Sequence, residues 1–218
     1  MLYNNALLLC GERFLASLSE DREPRHLLDQ VYNSNGIDYC LELAQWWFAM
    51  RAVMIDYDPS ITPDFGYQKA FTVPEDWIRT SALCSDEYFK TPLLCHAAEP
   101  DYWYADITPI YVKYVSNDTA YGGDLSRWPA SFADYAAAYF ATRIIGKLAG
   151  DRSDQRMTLL GPPGQPTKGL LMLTLHRAKS AAAQTQPTQF PAQGNWSRAR
   201  LGRRGSFRDG GNNGSLIG

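Results

Sequence analysis

Aromatic and β-branched side chains crowd the stretch 101–118. Tyr102, Tyr104, Ile107, Ile110, Val112, Tyr114 and Val115 alternate with polar residues or run together, and Pro109 breaks the series. This pattern predicts strands that need neighbours on their edges and a packed layer on at least one face. Shorter segments of the same character lie at 67–71, 77–83 and 93–97, joined by PED and a polar CSDEY turn. With 101–104 and 110–115 they predict a four- or five-stranded, largely antiparallel β-region over 67–115, because the connections are too short for parallel crossover helices.

The flanks have helical spacing instead. Apolar positions from Ala6 to Leu18 predict a helix over 6–18. A second is predicted over 22–50, with Asp21 as its cap and Pro24 in its first turn, where a missing N–H leaves no bond unmade. Its stripe runs through Leu27, Leu28, Val31 and Tyr32, weakens over Asn33 to Gly36 where a kink is expected, and resumes at Ile37, Cys40 and Leu41 as far as Trp46-Trp47-Phe48. Residues 56–66, with two prolines and a glycine, read as a loop. A third helix is predicted over 131–149, with Ser131 and Asp134 as an approximate capping box. Phe132, Ala136, Tyr139, Phe140, Arg143 and Ile144 form its face, and a run of alanines keeps it thin. GPPGQP at 161–166 must interrupt helical geometry, since a proline in a helix interior costs about 3 kcal/mol and a glycine about 1 kcal/mol. Leu170, Leu171, Leu173, Leu175 and Ala178 then predict a last helix over 167–183.

These elements predict an α+β protein. Helices from the N- and C-terminal parts form a bundle, expected to bring 24–48 against 132–148, with the small antiparallel β-region in the middle. The body spans 1–183. Residues 184–218, poor in aliphatic side chains and rich in Gly, Pro and Gln, read as a flexible arm that gains order only on a partner.

Charge sharpens that division. The chain has 218 residues, 45% of them hydrophobic, and a net charge of -2. Seven of its 21 Lys/Arg but one of its 23 Asp/Glu fall in 177–218, leaving 14 basic and 22 acidic residues in 1–176. An acidic body argues against a surface that coats nucleic acid, while the basic arm permits a local electrostatic contact. Met1 leads into an amphipathic pattern without a secretion signal, and no apolar run approaches the roughly 20 residues that span a bilayer. Cys10, Cys40, Cys84 and Cys95 lack metal-site spacing and are expected as buried thiols in a reducing compartment.

Catalytic chemistry finds no support in the residue pattern. His26, His96 and His176 are far apart and lack HExxH-type pairing. Cys95 and His96, adjacent on a predicted strand, would point to opposite faces. Gly161-Pro162-Pro163-Gly164 is no phosphate loop, because it lacks the GK[ST] end and its prolines remove amide donors. Asp56, Asp58 and Asp64 miss calcium-loop spacing and read as a solvated acidic turn. No enzyme activity, cofactor or metal is expected. The arm is more informative: Trp196 is followed closely by Arg198, Arg200, Arg203 and Arg204. One aromatic anchor with four guanidiniums suits docking into a pocket lined by carboxylates or contact with phosphates. These five are the candidate partner-binding residues.

The ordered segments ALLLCGERFLASLSEDREPRHLLDQVYNSNGIDYCLELAQWWFAMRAV, FTVPEDWIRTSALC, DEYF, DYWYAD, IYVKYVSND, YGGDLSRWP and NWSRAR resemble the tail tubular protein A family of short-tailed bacteriophages. These are head-to-tail adaptors, and the likeness covers nearly the whole chain. It departs at GPPGQP, where relatives are expected to carry an ordinary helical segment, and in the terminal GSFRDGGNNGSLIG. The resemblance implies a virion tail protein, assembled in the host cytoplasm, without contact to a membrane. It implies a dodecameric ring between the portal protein and the distal tail or nozzle protein, conducting duplex DNA without sequence specificity during genome ejection. Portal docking would fall to the last helix and to the arm with Trp196, Arg198, Arg200, Arg203 and Arg204. The β-region would face the nozzle or neighbouring subunits. The alternative is a phage nucleic-acid-binding protein that uses the basic tail.

Overall fold

The computed structural model describes residues 2–64, 66–148 and 153–185. Six helices and six strands occur among them: α1 (Leu2–Cys10), α2 (Glu23–Val31), α3 (Ile37–Glu42), β1 (Met50–Ile55), β2 (Lys69–Thr72), β3 (Trp77–Cys84), β4 (Ala97–Ala98), β5 (Tyr102–Ala105), β6 (Ile110–Ser116), α4 (Ala130–Leu148), α5 (Ser153–Leu160) and α6 (Leu170–Thr185). The fold is α+β, with helices from both ends of the chain around a small antiparallel β-region.

The β-region is two sheets rather than one. One has the order β1-β6-β3 and the other β2-β5-β4. Every pairing is antiparallel, with Val53 opposite Val112 and Phe71 opposite Trp103 among the register pairs. The aromatic stretch 101–118 thus supplies the central strand of both sheets. Strand alternation divides the side chains of β6 between two cores. Ile110, Val112 and Tyr114 join Phe71, Leu83, Trp103 and Ala105 in the cluster between the sheets, while Val115 enters the helical core.

α4 is the centre of the helical layer and touches all five other helices. Ala136, Ala137, Ala138 and Ala141 are buried. Their small side chains let neighbouring backbone come close, and the neighbours are α1 and α6 of the same chain. Cys10 Sγ donates to Ala141 O at 3.7 Å. The expected contact of 24–48 with 132–148 is present: Tyr39 stacks on Tyr139 at 4.8 Å, and Trp46 meets Phe132 edge-on at 4.7 Å.

Several element boundaries differ from expectation. The helix expected over 6–18 ends at Cys10, because Gly11 turns to a positive φ of 69°. The Gly11 and Glu12 amides then close back on Leu8 O and Leu7 O. Asp21 does not cap α2: its carboxylate binds His26 Nε2 at 2.7 Å, while Arg22 holds the cap position ahead of Pro24. The expected kink is present within Tyr32–Gly36, where Ser34 and Asn35 leave helical geometry and Asn35 has a φ of 60°. The helix expected to reach residue 50 stops at Glu42. Trp46 is extended, Trp47–Ala49 form one 3-10 turn, and the chain enters β1, an unexpected strand. α4 begins at Ala130, with Pro129 O accepting the Phe132 and Ala133 amides, so the Ser131 cap does not form. GPPGQP does break the helix: Gly161 and Gly164 have φ of 85° and 79°, separating α5 from a 3-10 turn at Pro166–Lys168 and from α6. α6 starts at Leu170 and continues to Thr185, past the expected end at 183.

Candidate assembly surfaces and the junction that positions them

One polar node ties the three strands of the first sheet together. Asp76, just before β3, accepts hydrogen bonds from Arg51 Nη1 at 2.8 Å, from Tyr114 OH at 3.0 Å and from Ser116 Oγ. Its backbone oxygen takes the Asn117 amide at 3.1 Å. Tyr114 and Ser116 are fully buried, so only hydrogen bonds can offset the loss of water at their hydroxyls. Burial opposes ionisation of Asp76, but the donors Ser116, Arg51 and Tyr114 outweigh it and hold the carboxyl below the usual carboxylate range. Burial above all, and then the same carboxylate, push the Tyr114 phenol up. Arg51 also lies over the Tyr121 ring at 5.6 Å.

Around this node the loop from 117 to 128 packs onto α3. Asn117 Nδ2 donates to Asp38 Oδ1 at 3.2 Å, Arg79 Nη1 to Glu42 O at 3.1 Å, and Trp128 Nε1 to Gly122 O at 2.8 Å. Gly122 sits where a Cβ would lie 2.5 Å from Ser116 O, 2.9 Å from Ala49 Cβ and 3.0 Å from Leu41 Cδ1. Gly122→Ala is therefore expected to cost about 1–3 kcal/mol by forcing strand and helix apart. Chemical unfolding checks this; a loss under roughly 0.5 kcal/mol would mean the loop shifts freely.

Cys10, Cys40 and Cys84 are buried as expected, whereas Cys95 is exposed. Burial pushes the Cys40 thiol up to about 12, against a partial lowering by Tyr135, so it carries almost no thiolate. His96 lies outside the strands, its Nδ1 within 2.8 Å of Leu93 O. Asp58 closes a local turn by accepting from Ser60 N and Ser60 Oγ at 2.9 and 2.6 Å. Among the described residues no group of His, Cys, Asp and Glu could hold a metal ion, and no helix is long and apolar enough to cross a membrane. Trp196, Arg198, Arg200, Arg203 and Arg204 lie outside the described residues.

Two kinds of surface stand out. Large apolar side chains are exposed on the helical part (Leu8, Phe14, Leu18, Leu173) and on the β-region (Met54, Tyr88, Leu94). β1 is an edge strand whose outward Ala52 and Met54 are exposed. In addition, a groove of about 310 Å³ lies between α2 and α4, where Leu27, Val31 and Tyr139 share the lining with Gln30, Ser34, Thr142, Arg143 and Lys147, so that more of its surface is polar than apolar. Arg143 falls on the face of this helix that its apolar spacing defines. A cation amid apolar positions was the available signal for the groove, but not for the wall that α2 provides.

No protein-family model matches the chain, and no curated protein matches it.

Proposed function

We propose that this protein is a structural subunit, without enzymatic activity, that adapts one virion component to another. In particular, it is a head-to-tail adaptor of a short-tailed phage. It assembles as a dodecameric ring between the portal and the distal tail or nozzle protein, and duplex DNA passes through the ring. The observation that carries this reading is that large apolar side chains are exposed on both the helical part (Leu8, Phe14, Leu18, Leu173) and the β-region (Met54, Tyr88, Leu94). Exposed apolar area supports contacts with partners, and an adaptor needs such contacts on more than one part of its body. The ordered motifs that resemble tail tubular protein A give the same reading its identity. The basic arm, with Trp196 and its neighbouring arginines, supplies the portal contact, and the net negative body gives passing DNA little to hold.

The test is the mass and symmetry of the species formed with and without portal complexes. A monomer alone and a dodecameric ring on the portal are expected. Deleting residues from Gln184 onward should leave the folded body soluble and weaken portal attachment by about tenfold or more, with Trp196→Ala doing much of the same damage. Cosedimentation with the portal measures this, and circular dichroism confirms the fold. Undiminished attachment of the truncated chain would end the docking-arm role. Loss of salt-dependent DNA affinity alone would move the protein to the nucleic-acid-binding class.

A further inference from the structure

The groove between α2 and α4 gathers positive charge to which the chain supplies no counterpart. Arg143 and Lys147 stand one turn apart on α4, and both are exposed. Arg25, Arg51 and Arg127 each have an acidic partner, whereas these two have none among the described residues. No residue lining the groove is acidic. Like charges at this spacing weaken a helix, so an anion between them is favoured. The Tyr139 phenol, raised by burial, is drawn back down by Arg143, which sets that guanidinium close to the groove wall. Neutral donors line the opposite wall: Gln30 on α2, and Ser34 in the kink that follows it. Their side chains make no hydrogen bond among the described residues, so both can donate. Thr142 cannot, because its hydroxyl already bonds Tyr139 O at 2.6 Å.

Two cations and two neutral donors exceed what the single charge and two oxygens of one carboxylate absorb. A phosphate monoester offers nearly two negative charges and three acceptor oxygens, which match this set. At about 310 Å³ the space also exceeds a bare phosphate and lies at the small end of ligand pockets. Leu27, Val31 and Tyr139 border the remainder and suit the organic body of a small phosphate ester. A continuous nucleic-acid backbone fits less well. Tracking several phosphates takes several cations, and the body over 1–176 carries 22 acidic residues against 14 basic ones. Two cations hold one phosphate.

We propose that this groove binds a phosphate monoester, with Arg143 and Lys147 on the phosphate and Gln30 and Ser34 donating to its oxygens. The organic part lies along Leu27, Val31 and Tyr139. Arg143 carries the larger share, because the negative end of the α4 dipole falls at Lys147 in the last turn. A free nucleotide and the 5′ end of a nucleic-acid strand both present this group, and the contact chemistry is the same for either source. The site goes beyond the adaptor reading and does not rest on it.

The test follows the backbone amide resonances of the isotope-labelled full chain during titration with thymidine 5′-monophosphate at low salt. Amides of 27–34 and 139–147 should shift together. Inorganic phosphate should compete, and thymidine, which lacks the anion, should move nothing. Arg143→Gln should weaken binding about tenfold and Lys147→Gln about threefold, with circular dichroism confirming that each variant is folded. Arg156→Gln makes the same charge change on α5 and should bind as the starting chain does; an equal loss there would reduce the effect to net charge and overturn the site. Duplex oligonucleotides with and without a 5′ phosphate decide the source. Preference for the phosphorylated end assigns the groove to strand ends, and equal affinity assigns it to the free nucleotide. Both duplexes bring the same backbone to the basic arm, so the difference between them reports the groove. No shift at the groove, or equal binding of thymidine, would overturn the proposal. A glutamate-rich peptide that displaces the nucleotide at lower concentration than phosphate would do the same, giving the groove to the carboxylates of a partner protein. Each of these failures leaves the adaptor reading to be judged separately on portal complexes.

Discussion

Phe132→Ala is expected to lower the unfolding free energy by about 4 kcal/mol. Phe132 is 1% exposed and stands where the segment after α3 meets the start of α4. Its ring centroid lies 4.7 Å from Trp46, 4.9 Å from Phe48, 4.8 Å from Trp128 and 6.0 Å from Tyr135. Truncation removes buried area and leaves a cavity that four rigid rings cannot close. It also removes edge-on contacts worth roughly 0.5–1.5 kcal/mol each beyond their area. Phe132→Leu keeps most of the volume and should lose about half as much. The check is urea unfolding, with a lowered midpoint and an unchanged slope. A loss under about 1 kcal/mol for the alanine variant would show that the cluster recloses around the gap.

Asp76→Ala is expected to cost about 3 kcal/mol, because it leaves the buried hydroxyls of Tyr114 and Ser116 and the Arg51 guanidinium without their shared acceptor. The Arg51 side chain is 34% exposed, so water replaces part of its bond. Most of the loss therefore falls on the two hydroxyls. Asp76→Asn retains an acceptor oxygen and should lose about half as much. The pH dependence follows from the depressed carboxyl of folded Asp76. Its contribution to stability is fully present above the unfolded carboxyl's value of about 4 and is lost as pH falls through the folded value. Stability of the wild-type chain should thus drop on acidification below about pH 4, and Asp76→Asn should flatten that part of the curve. Parallel curves for the two proteins would remove Asp76 from the acid response. Because the node ties β3 and β6 to β1, its loss should also loosen that sheet, read as faster amide exchange in 110–117.

Much of the fold was legible because it is written in short windows of the chain. The heptad-scale spacing of Phe132, Tyr139 and Ile144 specifies α4 within two residues, and the prolines and glycines of GPPGQP oblige a break wherever that segment sits. The alternation in 110–115 marks a strand whichever partner it finds. The weak point at Asn33–Gly36 is equally local, since Asn and Gly tolerate the backbone angles of a kinked turn.

Other features depend on residues that meet only after folding. MRAVMI, the run that becomes β1, has no period long enough to separate strand from helix. Its state is settled by pairing Met50 with Val115 and Ile55 with Ile110, more than fifty positions away. The Trp46-Trp47-Phe48 cluster reads as the end of a helix, but Phe132 and Tyr135 hold Trp46 in an extended backbone. Two sheets form in place of one because β5 and β6, neighbours in sequence, each acquire separate partners. The same distinction governs the sites. The proposed binding role of Trp196 and its arginines rests on composition alone, which needs no fold. The Asp76 node and the groove bring together residues from elements far apart in sequence, Arg51 with Ser116 and Leu27 with Arg143. Long-range packing excludes water from the buried hydroxyls of the node and sets α2 opposite the cations of α4.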